Sequence, residues 1–313
     1  MASLRRVLAV ATPLAFALAR GGAEQAVRKP VFPSETRLVV LQATVKNGRG
    51  ELVTNLGREA FTLYEDGKAQ PISVFRADDV PVSLGLLIDN SGSMRRLRAK
   101  VEEAALACVR ASNHDDEVFV LNFADKARID VPLTTDIAEI ERGIARVDSI
   151  GGTALRDALD LGTRYLAENG SRQRKALLVI SDGKDNASTT SVDQIRREAE
   201  KLDIVVYAVG LASDEDGSIS RYGRHELDDL AELTGGVAYY PRSFEELDAI
   251  ALGIARQIRS QYTIGYRPAD RSLDGSYRKL RVVARSPERL TVRTRAGFRG
   301  TPVPGRRPSP PTM

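Results

Sequence analysis

Leu84–Ser93 reads LGLLIDNSGS: an uncharged apolar run, Leu84 to Ile88, that ends abruptly in Asp89, Asn90, Ser91, Gly92 and Ser93. Such a run, five residues long and bounded by turn-forming residues, predicts a buried strand that delivers its polar loop at its carboxyl end. The pattern recurs at Ala176 to Ile180, which runs into Ser181, Asp182 and Gly183. A third polar loop, Gly151-Gly152-Thr153, stands just before a helical stretch. On these loops Asp89, Ser91, Ser93, Thr153 and Asp182 offer two carboxylates and three hydroxyls, and no histidine or thiol is present.

Working outward, short apolar strands alternate with amphipathic helices. Strands are predicted at Leu84–Ile88, Val118–Phe123, Ala127–Pro132, Ala176–Ile180, Ile204–Val209 and Val237–Tyr240. Helices are predicted near residues 95–112, 136–147, 154–168, 192–202, 225–233 and 244–259. Strands of this kind between helices imply a doubly wound, mostly parallel sheet covered on both faces, an α/β fold. Residues 81–259 make this domain.

The flanks differ. Residues 31–80 read as β-structure, with Leu41, Ala43 and Val45 alternating and Asp66-Gly67 marking a hairpin turn. After Ser260 the β-pattern returns at Tyr262–Tyr266, Tyr277–Ala284 and Leu290–Arg295. Each flank is thin for a domain. Joined, residues 31–80 and 260–298 make a small β-sandwich into which the α/β domain is inserted. Residues 299–313, with five prolines from Pro302 to Pro311, read as a disordered tail.

The ligand set Asp89, Ser91, Ser93, Thr153 and Asp182 has a physical meaning. Mg²⁺, and likewise Mn²⁺ or Ca²⁺, takes oxygen ligands, whereas softer metals favour the cysteine or histidine that these loops lack. In a sheet ordered 3-2-1-4-5, the strands ending at Ile88 and Ile180 are neighbours at the topological switch point, where ligands bind. Residues about 90 positions apart therefore meet at one crevice.

The spacing Asp89-x-Ser91-x-Ser93, then Thr153, then Asp182 resembles the metal-ion-dependent adhesion site of von Willebrand factor type A domains. The resemblance covers residues 82–259. Four phrases, FTLYEDG (61–67), GGTALRDAL (151–159), SDGKDNAS (181–188) and QYTIGYRP (261–268), are similar to the acidobacterial "VWFA-related" group. The resemblance implies that Ser91, Ser93 and sometimes Thr153 ligate the ion directly and that Asp89 and Asp182 act through water. It implies that a partner carboxylate, from an exposed Asp or Glu of a protein ligand, completes the sphere. The expected function is metal-dependent binding or adhesion. The alternatives are a structural or assembly module whose metal only stabilises the loops and, behind that, a hydrolase.

Catalysis lacks its parts. A haloacid-dehalogenase-type aspartate needs a second aspartate two residues on, where Ser91 stands. Ser91 and Ser93 have no activating base, since the two histidines, His114 and His225, are not expected at strand ends. No GxSxG elbow, Walker loop or GxGxxG fingerprint is present, so no nucleotide cofactor is expected. A net charge of +4, with arginines interspersed among acids and 5% aromatic residues, argues against nucleic-acid binding. The single cysteine, Cys108, falls at core spacing with Leu97, Val101, Ala104 and Ala105. Residues 1–23 read as an export signal: Arg5 and Arg6, the apolar run Val7–Ala19, then small residues. That run is too short to span a bilayer, so a periplasmic, cell-surface or secreted location with no membrane span after cleavage is expected.

Overall fold

The computed structural model describes residues 38–145, 150–201, 203–212, 219–268 and 275–299. The export signal and residues 300–313 of the tail lie outside them. The chain opens with β1 (Val39–Asn47), β2 (Phe61–Glu65), β3 (Lys68–Gln70) and β4 (Ile72–Arg76). Asp66 and Gly67, both at positive φ, make the tight turn that folds β3 back on β2. The next stretch comprises β5 (Val82–Asp89), α1 (Arg98–Arg110), β6 (Glu117–Phe123), β7 (Ala127–Thr134), α2 (Ile137–Ile144), α3 (Leu155–Asn169) and β8 (Arg174–Ser181). It continues with α4 (Val192–Lys201), β9 (Ile204–Gly210), α5 (Arg221–Thr234), β10 (Ala238–Tyr239) and α6 (Phe244–Arg259). The chain closes with β11 (Tyr262–Tyr266), β12 (Tyr277–Ala284), β13 (Leu290–Arg293) and β14 (Gly297–Arg299).

The middle of the chain builds one six-stranded sheet in the order β10-β9-β8-β5-β6-β7, parallel except for β7. Side chains alternate across it, as the pleat requires. Leu84, Leu86 and Ile88 of β5 join Leu178 and Ile180 of β8 under α1 and α6, where Val101, Ala105 and Ile254 meet them. Leu87, Phe119, Leu121, Leu177 and Val179 face the other way, against Leu155, Leu159 and Leu227 of α3 and α5. A Cβ on Gly85 would stand 2.4 Å from the Phe119 ring, so the strand carries no side chain there. Cys108 is fully buried, and its thiol is pushed up to about 12 by burial, so it acts as a small apolar filler.

The flanks pair with each other. One antiparallel sheet runs β13-β1-β11-β4 and a second runs β14-β12-β2-β3, so each combines strands from before and after the α/β layer. Leu41, Ala43, Tyr262 and Ile264 from the first sheet pack on Phe61, Leu63, Leu280 and Val282 from the second. The fold class is therefore the mixed one expected: a mostly parallel α/β sheet set within an antiparallel sandwich built from both ends.

Some local readings change. The strand expected at Leu290–Arg295 ends at Arg293 as β13, paired with β1, and a further short strand, β14, pairs with β12 in the other sheet. Arg299, placed in the tail by its neighbouring prolines, instead pairs with Tyr277 in β14. The helix expected from residue 95 begins as a 3-10 turn, Gly92–Leu97. α5 begins at Arg221 under a Ser220 N-cap, four residues ahead of His225.

Both crossings between sandwich and α/β layer are gathered by one buried side chain. The Arg174 guanidinium donates to the carbonyls of Ile258, Arg259 and Gln261 at the end of α6, and to that of Asp78 ahead of β5. Arg259 in turn pairs with Asp79. Among the described residues no helix is long and apolar enough to cross a membrane.

Candidate metal centre

The register of β5 on β8 sets the centre. Ile88 lies beside Ile180, so Asp89 and Ser181 leave the sheet together, and the Ser181 hydroxyl donates to Asp89 Oδ2 at 2.6 Å. Asp89 Oδ1 accepts from the Ser91 backbone N–H at 2.9 Å, which turns the chain so that the Ser91 and Ser93 hydroxyls stand 3.1 Å apart. Gly183 N–H donates to Ser181 Oγ, and Asp182 follows Ser181 fully buried.

The loop carrying Thr153 is tied to both of these. Gly92 N–H donates to the Gly151 carbonyl, linking it to the Asp89–Ser93 loop. Asn186 and Ala187 N–H both donate to the Thr153 carbonyl, while Thr153 N–H donates to Asn186 Oδ1 at 2.8 Å. Asp125, on the β6–β7 turn, accepts from Gly152 N–H at 2.6 Å. Gly151 adopts φ +93°, and a Cβ there would strike the Asp125 carboxylate. All three sequence-predicted loops thus come together at the carboxyl ends of β5 and β8, and all five side chains sit on them. Asp89, Ser91, Thr153 and Asp182 are buried, and Ser93 is exposed.

Sequence reasoning missed three contributors. Ser181 holds Asp89, and Asp125 holds Gly152. The third is Asp185, which follows the Ser181–Gly183 loop and in sequence alone looks like turn chemistry. Its carboxylate is wholly buried, pairs with Arg156 at 3.2 Å, and accepts from the Ser188 hydroxyl and the Arg156 backbone N–H. The physical reason lies at the start of α3. Its N-cap residue is Ala154, which has no side-chain acceptor. The orphan N–H groups of Arg156 and Asp157 are met instead by Asp185 and the Ser188 hydroxyl from across the crevice. An alanine where a Ser, Thr, Asp or Asn is favoured was the available signal. Thr153, one residue before Ala154, is therefore not the cap of α3.

Burial pushes the Asp89 carboxyl up to about 6, against hydrogen bonds from Ser181 and Ser91 that pull it down, with the Asp182 charge adding a further upward push. A desolvated carboxylate beside a second one calls for a positive charge. Lys184 Nζ lies 3.7 Å from Asp182 Oδ2. Among the described residues no group of three or more His, Cys, Asp and Glu gathers as a metal cage. The donor set is instead two carboxylates and three hydroxyls, all oxygen, which fits a hard divalent cation with open coordination positions. Neither histidine belongs to it, since the side chains of His114 and His225 stand 87% and 77% exposed in ion pairs with Asp115 and Asp229.

Residues 84–184, from β5 through the third loop, match the family model of the von Willebrand factor type A domain. That stretch is a von Willebrand factor type A domain. An uncharacterised protein of Synechocystis sp. is 26% identical over 191 residues, 58% of this chain and 43% of that protein. The chain therefore spans less than half the length of that relative. A von Willebrand factor type A structure from Catenulispora acidiphila aligns with TM-score 0.49 and 14% identity, over 86% of this chain and 76% of that one. Proximal thread matrix protein 1 from the mussel byssus, with a zinc-occupied MIDAS motif, aligns with TM-score 0.48 and 20% identity, over 62% and 49%.

Proposed function

We propose that this type A domain is an exported binding module that recognises a partner carboxylate through a divalent cation, and that it is not an enzyme. Ser91, Ser93 and Thr153 hold Mg²⁺, Mn²⁺ or Ca²⁺ directly, and Asp89 and Asp182 hold it through water. The observation that carries the reading is the convergence of five oxygen-bearing side chains at one strand-end crevice, with Asp89 desolvated beside Asp182. Three direct protein ligands leave an octahedral ion about three positions for water or an incoming oxygen. With neutral hydroxyls inside, the ion stays electrophilic toward a full negative charge.

The loops' own bracing weighs against a purely structural metal. Gly92 to Gly151, Gly152 to Asp125, Thr153 to Asn186 and Ser181 to Asp89 are direct hydrogen bonds that need no ion. A cation added to loops already joined has its open coordination positions free for a partner.

Calorimetric titration with Mn²⁺ and Mg²⁺ tests the centre. Binding is expected in the native chain and lost in Asp182→Ala, with circular dichroism unchanged. Undiminished affinity in that variant overturns the assignment. Capture of partner protein from an exported fraction should occur in Mg²⁺ and cease in EDTA or after carbodiimide blocking of the partner's carboxylates. Capture that persists under both treatments overturns the carboxylate reading.

A further inference from the structure

Among the described residues five large apolar side chains are exposed: Leu38, Ile137, Ile150, Tyr222 and Leu252. Scattered exposed hydrophobics are ordinary on a soluble surface. Here the two most exposed of the five, Ile150 at 68% and Tyr222 at 55%, share one location. Ile150 precedes Gly151, whose carbonyl accepts from Gly92 between the two ligand serines. Tyr222 precedes Gly223, which lies so tightly on the third loop that a Cβ there would be 2.3 Å from the Asp182 carbonyl. Each is thus one residue from a glycine at a metal loop, Ile150 ahead of the Thr153 loop and Tyr222 in the first turn of α5. Neither is required by the core, since α5 buries Leu227, Leu230 and Ala231 on its other face.

Among the described residues of the loops around them the exposed charge is mainly basic. Arg96, Lys126 and Arg221 are exposed on the same loops or next to them. Among the described residues of these loops the one exposed carboxylate is Asp125, and it is already accepting from Gly152. We propose that this face reads an acidic protein segment in which the metal-bound Asp or Glu is flanked by large apolar residues that pack on Ile150 and Tyr222, with further acids facing Arg96, Lys126 and Arg221. The proposal rests on the metal-dependent reading above and adds what selects the partner. An aliphatic branched side chain such as Ile150 gains from covering an apolar side chain and offers nothing to a hydroxyl-rich polysaccharide, so the occupant is protein.

The probe is an array of surface-immobilised seven-residue peptides with a central Glu or Gln and flanks of Leu or Ser, each with or without outer Asp residues, alongside immobilised alginate. In Mn²⁺ the native chain should prefer Leu-flanked, Asp-bearing Glu peptides over Ser-flanked ones. Ile150→Ser and Tyr222→Ser should each weaken the Leu-flanked peptides by about tenfold, the scale of a buried interface anchor. Both variants should leave Ser-flanked peptides and calorimetric Mn²⁺ affinity unchanged. Arg96→Glu should reduce the benefit of the outer Asp residues. Equal binding of Leu- and Ser-flanked peptides, or a preference for alginate unaffected by either Ser substitution, overturns the proposal while leaving the metal centre standing. Absence of calorimetric Mn²⁺ binding in the native chain overturns the metal reading itself, and the proposal with it.

Discussion

Asp89→Asn should make the metal-free protein more stable at neutral pH while abolishing the proposed metal binding. The Asp89 carboxyl is raised by burial from its ordinary 3.8 to about 6. At about 1.4 kcal/mol per tenfold change in acidity, that displacement is a penalty of about 3 kcal/mol on the folded state once the group is ionised. The sign follows from the direction of the shift. Below the unfolded value the group is protonated in both states and contributes nothing. As pH rises toward 6 the unfolded chain releases the proton and the folded one retains it, so stability falls, and above 6 the whole penalty applies. Asparagine never ionises. It keeps an acceptor for Ser91 N–H and turns an amide toward Ser181 Oγ, exchanging a charge-assisted bond for a neutral one at about 1 kcal/mol. Urea denaturation in EDTA should therefore find the variant about 2 kcal/mol more stable at pH 8. At pH 4.5 the difference should shrink to near zero, because the native penalty there is about 1 kcal/mol. In saturating Mn²⁺ at pH 8 the native chain should regain stability through binding and the variant should not. A difference independent of pH, or a variant less stable in EDTA at pH 8, would refute the claim that burial of an unneutralised carboxylate strains this crevice.

Lys184→Met removes the ammonium 3.7 Å from Asp182, and calorimetric Mn²⁺ affinity should rise severalfold; equal or weaker affinity would show that Lys184 does not oppose the cation. Asp185→Ala strips the acceptor of the Arg156 N–H from the start of α3, releases the Ser188 hydroxyl that meets Asp157 N–H, and leaves Arg156 without this partner. It should cost about 2–4 kcal/mol in urea denaturation and weaken Mn²⁺ binding, and a loss below about 1 kcal/mol would contradict the capping role assigned to it. Arg174→Met frees the carbonyls at both crossings and should lower stability by about 2–4 kcal/mol, broadening or splitting a single calorimetric transition. An unchanged sharp transition would mean that the sandwich and the α/β layer are coupled elsewhere.

The α/β layer was legible because its strands are apolar on both faces and short, a pattern that few other folds produce. The neighbouring positions of β5 and β8 followed from the crossover rule, and the meeting of Asp89 with the Ser181–Gly183 loop followed from that. The pairing of the two β-flanks was legible from thinness alone, since neither could cover itself. What stayed hidden is tertiary. β14 was not legible because Gly297–Arg299 is only three residues long and runs toward the prolines of the tail. Asp185 looks like turn chemistry because its partners, Arg156 and the open end of α3, lie 29 residues upstream. Asp125 gave no signal either, since an Asp in a two-strand turn is ordinary until the Gly151-Gly152 loop is seen leaning on it.

The placement of the two β-flanks bears on how a partner could reach the centre. Arg174 begins β8, and the backbone it gathers, at Asp78 and at Ile258 to Gln261, is where the chain enters and leaves the α/β layer. Gly235, at the end of α5, packs against the Thr294–Arg295 backbone of the sandwich at the same edge of the sheet. The metal loops leave the opposite, carboxyl edge. β5 runs eight residues from Val82 to Asp89, and at about 3.3 Å per residue the two edges are about 25 Å apart. Among the described residues the sandwich therefore grips the α/β layer at the edge opposite the loops. Loops held at the far edge are in the position that the proposed contact with another macromolecule requires. The same separation means that substitutions at Arg174 and at Asp182 should act additively on stability, because no shared side chain or cavity joins sites so far apart.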